Sequence, residues 1–108
     1  MSKHSVHTVC IKELPFKVKV VDNCCIDSAI GTFNCADSVI EIKIGLSENQ
    51  LYRTIAHEIT HAVIWAYGFV SFENFSEENV CDFVSIHMDE IMKETKAVYK
   101  KILEDYYE

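Results

Sequence analysis

The residues His57-Glu58-Ile59-Thr60-His61 have the types and the spacing for hydrolytic chemistry. On a helix turning about 100° per residue, positions i and i+4 lie one above the other, so His57 and His61 turn two imidazoles toward one point. Two neutral imidazoles on adjoining turns make half of a site for Zn²⁺, which takes nitrogen at about 2.0–2.1 Å and about four ligands in all. Glu58 falls beside the pair, where it can take a proton from a metal-bound water. The spacing predicts a metal-dependent hydrolase, given a helix, a core face separate from the histidine face, and a third ligand downstream.

The helix has readable ends. Ser47 can cap the third helical residue and Gln50 can reach back, a capping box; no Pro or Gly intervenes before Tyr67, and Gly68 supplies a stop. With His57 at zero, Leu51, Ile55, Ile59, Ala62, Val63 and Ala66 all fall within roughly 60° of the opposite pole. The core face and the histidine face are therefore distinct.

Upstream, the sequence predicts strands over 5–11 and 16–21, with Pro15 marking a break or a strand start, and a hairpin whose arms, 31–33 and 38–44, flank the turn-like Asn34-Cys35-Ala36-Asp37. On the second arm Ile40, Ile42 and Ile44 share one face against Glu41 and Lys43, as in a strand covered on one side. Its place next to the histidine helix suggests that this arm could pair with an extended peptide. The vicinal Cys24-Cys25 reads as two small loop residues. Phe69, Phe72 and Phe75 are expected to close the core.

Downstream, Ser76 is a fair N-cap and Glu77-Glu78 favour the helix dipole. A helix without breakers is expected from Glu77 toward Tyr106, with Val80, Phe83, Val84, Ile91 and Val98 as its apolar stripe. Asp82, Ser85 and Asp89 fall within about 40° of Glu78, opposite the Val80, Ile91 and Val98 stripe. Turned toward the first helix, that acidic stripe would supply a third ligand and its support.

Composition bounds the rest. The 108 residues are enough for one domain over 1–108, and 49% hydrophobic with 25% charged residues is ordinary for a globular chain. Seventeen acids against ten bases give −7, which repels nucleic acid. Lys17 and Lys19, Lys93 to Lys96, and Lys100-Lys101 are each diluted by acids and read as solvated faces. Five cysteines without C-x-x-C spacing point to reduced thiols. With no signal-peptide core and no membrane-length apolar run, a cytosolic protein is expected.

His57-Glu58-x-x-His61, followed seventeen residues later by Glu78-x-x-x-Asp82 on a second helix, resembles the gluzincin class of zinc metallopeptidases. The hairpin, capped helix and Glu-Glu helix are similar to its small members, the ImmA/IrrE-like proteins of phages and mobile elements and the minigluzincins. The resemblance covers about residues 30 to 90. It implies an α+β zincin-like fold, with three to four N-terminal antiparallel strands, a metal-binding helix and a long C-terminal helix. It further implies zinc on His57, His61 and Glu78, with Glu58 as general base, Asp82 orienting an imidazole from behind, and a peptide or protein substrate. Asn79-Val80-Cys81 after Glu78 departs from the usual Ala-Asn pair, which leaves Glu77 and Asp82 as alternative third ligands. Tyr52, Tyr67 and His87 are the candidates to stabilise an oxyanion, although His87 reads better as a packed histidine. Two further readings are a catalytically silent binding module acting on a host or regulatory protein, and a latent enzyme blocked by Cys24 or Cys25 or covered by the C-terminal helix.

Overall fold

The computed structural model describes residues 6–26, 28–68 and 76–107, and the side chains of all of these but Val6. The fold is α+β: strands β1 (Val6–Ile11), β2 (Leu14–Val21), β3 (Gly31–Asn34) and β4 (Val39–Lys43), then helices α1 (Glu48–Ala66) and α2 (Glu77–Tyr106). The expected connection of Phe69, Phe72 and Phe75 lies outside the described residues. No described helix is long and apolar enough to cross a membrane.

The four strands form one sheet in the order β1-β2-β4-β3. β1 pairs with β2, and β3 with β4, antiparallel; β2 and β4 run parallel, with Val18 opposite Ile40 and Val20 opposite Ile42. The sheet is thus mixed rather than wholly antiparallel. After β2 the chain crosses to the outer position, runs as β3 and turns back as β4 into the space between them. A second expectation changes with this: β4 has neighbours on both sides and offers no edge to a peptide. The outer strand next to α1 is β3.

Period-two burial along the strands sends Phe16, Val18, Val20, Ile40 and Ile42 to one face, where they meet Leu51, Ile55, Ile59, Ala62 and Val63 of α1 and Val98 and Ile102 of α2. Pro15 lies where β2 has only β1 beside it, opposite Cys10, so its missing N–H costs no bond to β4. β1 and β2 are joined at Lys12-Glu13, both at positive φ (51° and 67°), a two-residue turn normally built from Asn and Gly.

Both helices carry their expected caps. Ser47 Oγ accepts from the Gln50 N–H (3.2 Å), and Ser76 Oγ accepts from the Asn79 N–H (3.1 Å). Gln50 differs from a capping box in detail, its side-chain oxygen accepting from the Ser47 hydroxyl. Gly68, at φ +84°, closes α1 with its N–H on the Trp65 carbonyl.

The helices run antiparallel. Tyr99 of α2 meets Tyr52 edge-on near the start of α1, and the Tyr107 hydroxyl donates to the Leu46 carbonyl just before it. At the other end the Tyr67 ring packs at a tilt against His87 and its hydroxyl donates to Glu90 Oε1 (2.9 Å). α2 has eleven more residues than α1, so its first turns continue past the end of its partner for about 16 Å. There its apolar stripe is less covered: Val98 is buried, whereas Phe83 is half-buried and Val84 is 43% exposed.

Candidate active site

α1 turns Ile55, Ile59, Ala62 and Val63 into the core, which leaves His57 and His61 on its solvent side as the sequence predicts. Their ring centroids are 4.9 Å apart with the rings nearly perpendicular. His61 also lies flat against Phe33 of β3, at 6.2 Å and an interplanar angle of 1°. This contact fixes the plane of one imidazole against the outer strand. Burial, and secondarily the neighbouring His57, pushes the His61 pKa down, which keeps the ring in the neutral form that binds metals.

Glu58 is tucked between helix and sheet beside Gly31 and is only 5% exposed. Desolvation raises its pKa, opposed by the attraction of His57. A carboxyl with a raised pKa beside two imidazoles is suited to exchange protons closer to neutral pH than an ordinary glutamate.

Gly31 of β3 makes room for it. A Cβ at position 31 would stand 2.6 Å from Thr54 Cγ2 and 3.0 Å from Glu58 Oε2. The missing side chain lets α1 approach the strand closely enough to seat both residues. An isolated glycine inside a strand is the sequence signal for such an approach, and it passed without a role in the sequence reading. Between α1 and the entry to β3 lies an open cleft of about 380 Å³, lined by Ile30, Gly31, Arg53, Thr54, His57 and Glu58. Arg53 was missed too, although it stands four residues before His57 on the same helical face.

The downstream residues are placed otherwise. Glu77, Glu78, Asp82 and Asp89 are exposed. Glu78 lies nine residues, about 14 Å of helix, before the His87 that meets the end of α1, in the direction away from the histidine pair. The acidic stripe lies on the exposed side of α2, and its first members, Glu78 and Asp82, stand beyond the end of α1. Among the described residues no three His, Cys, Asp or Glu side chains come together to hold a metal ion. His57 and His61 fit two ligand positions of a zinc site; Glu78, Glu77 and Asp82 are not brought to them.

The three oxyanion candidates have other contacts. Tyr52 packs on Tyr99, Tyr67 bonds Glu90, and His87 is buried between Tyr67 and Phe83, a packed histidine as expected. Cys24 is buried near the Glu41 carbonyl, and the Cys25 N–H donates to Glu41 Oε1 (2.9 Å). The vicinal cysteines thus tie the β2–β3 connection to β4. Compared with known proteins, the chain matches no family, no curated protein and no solved structure.

Proposed function

We propose that this chain is a small zinc-dependent peptidase of the gluzincin kind, similar to the ImmA/IrrE-like proteins and minigluzincins, acting on a peptide or protein in the cytosol. One observation carries the reading: Glu58 is buried in a cleft wall, its pKa raised by desolvation, on the same helical turns as two exposed imidazoles. A purely structural metal site has no use for a buried carboxylate there. His57 and His61 would hold the ion, which when bound supplies Lewis acidity toward a carbonyl and a water of lowered pKa.

The chain's own residues account for the remaining work. Glu58 takes the proton of the attacking water and returns it to the leaving amine; its raised pKa brings it nearer the working pH. Phe33 holds the His61 ring in place. The outer edge of β3, unpaired among the described residues, would offer N–H and C=O groups to an extended substrate beside that ring.

The resemblance assigns the third ligand to Glu78, and this part of the proposal stands apart from the rest. Metal analysis tests it: one equivalent of zinc is expected in the wild type, with strong loss in His61→Ala and a much greater loss in Glu78→Ala than in Glu77→Ala. Less than about half an equivalent in the wild type would overturn the metal site as a whole. Equal effects of the two glutamates would overturn only the assignment of Glu78.

A second reading, a catalytically silent zincin-like module that binds a regulatory protein, is favoured by the missing third donor among the described residues. Glu58→Gln separates the two readings. Loss of peptide cleavage with metal retained supports the peptidase; an unchanged biological effect supports the binding module.

A further inference from the structure

Arg53 is the only arginine among ten basic residues, the other nine being lysines. It is exposed and lines the same cleft as His57 and Glu58. Although the chain holds seventeen acids, no carboxylate among the described residues pairs with it. Surface Lys and Arg commonly find an acid within one helical turn, and Arg53 has none at i+3 or i+4, where Ala56 and His57 stand. The guanidinium therefore presents its donors to the cleft and to solvent.

We infer that Arg53 is an anion-binding subsite of this cleft, which selects peptides carrying a carboxylate near the bond held at His57 and His61. A guanidinium offers a planar fork of N–H donors that matches the two oxygens of a carboxylate, where a lysine would act only as a point charge. Arg53 lies four residues before His57, about 6 Å along the axis, and long helical side chains lean toward the N-terminus. Its reach thus extends away from the imidazoles by about two to three residues of extended peptide. In a molecule of net charge −7, an unpaired cation at the cleft also offsets the general repulsion of acidic ligands.

The carboxylate has two sources, the C-terminus of a peptide or an Asp or Glu side chain. The inference rests on the peptidase reading for the purpose of the subsite, and its test needs only binding. The full-length Glu58→Gln protein, which should not turn substrate over, is titrated by NMR with three probes: acetyl-tetraalanine as the free acid, the same peptide as the amide, and the amide with one alanine replaced by glutamate. At least one carboxylate probe should bind about fivefold more tightly than the neutral amide. The free acid alone identifies a C-terminal carboxylate, and the glutamyl amide identifies an acidic side chain.

Arg53→Gln should abolish the preference and Arg53→Lys keep part of it. Because the side chain is exposed, neither change should alter the helix signal in circular dichroism. Equal binding of all three probes, no binding by any, or a preference that survives Arg53→Gln overturns the inference. Zinc content of the same samples reports separately: a metal-free protein that still prefers the carboxylate leaves the subsite standing and sinks the metal reading.

Discussion

The His57/His61 face of α1 and the Glu78/Asp82 face of α2 look alike in the sequence: each sets chemically capable residues one turn apart, away from an apolar stripe. In the folded chain they differ. α1 packs on the sheet and alongside α2, so its histidine face borders β3 through Phe33 while Glu58 is held beneath. The first turns of α2 continue past α1, and their acids face solvent. Periodicity tells which residues share a helical face. What that face meets depends on how long the neighbouring element is and where it stops.

The strongest way to break this contrast is to unseat α1. Gly31→Ala inserts a Cβ at 2.6 Å from Thr54 Cγ2, and either the helix or the strand must shift. A loss of about 2–3 kcal/mol is expected in urea unfolding, with a fall in zinc affinity if Glu58 and the histidines move together. An unchanged midpoint would mean that the helix does not depend on this approach.

Two smaller effects probe how each helix is held. Glu58→Gln in chelator-treated protein should stabilise the fold at neutral pH by on the order of 1 kcal/mol, since it removes a buried charge. The sign with pH follows from the raised pKa. Between the ordinary glutamate value and the raised one, the native state holds a proton that the unfolded state has lost, so wild-type stability falls as pH rises through that window. The advantage of the variant should be absent at acid pH and complete above the window; the opposite trend would show that the carboxylate stabilises the fold. On the packed half of α2, Thr95 Oγ1 is buried without a partner among the described residues. Thr95→Val should add about 1 kcal/mol, and a loss of stability would mean that the hydroxyl is bonded.

Much of the two helices was legible because their signals are local. Ser47, Ser76 and Gly68 act within one turn of themselves, and the pole opposite His57 is the buried one. The turn at Lys12-Glu13 was not legible, because neither residue favours the positive φ that it adopts. The interior position of β4 was hidden for another reason: strand order depends on pairing with β2, which is distant in sequence. The burial of Glu58 depends on Gly31, twenty-seven residues earlier. The overhang of α2 could have been anticipated by comparing the two expected helix lengths.

The smallest expected effect bears most directly on the comparison. Asp82→Ala should change stability by no more than about 0.5 kcal/mol, as exposed substitutions usually do. Glu78→Ala should fall in the same range, less the few tenths of a kcal/mol that an acid in the first turn contributes through the helix dipole. Both are measured without metal, because any ligand role would add binding energy to the fold. If either variant loses more than about 1 kcal/mol in that state, the acidic face of α2 makes contacts that an exposed face does not have. If both stay small without zinc, and Glu78→Ala alone becomes costly with zinc added, then the metal itself draws the start of α2 toward the histidine pair. The two helical faces would then become one site only in the metal-bound protein.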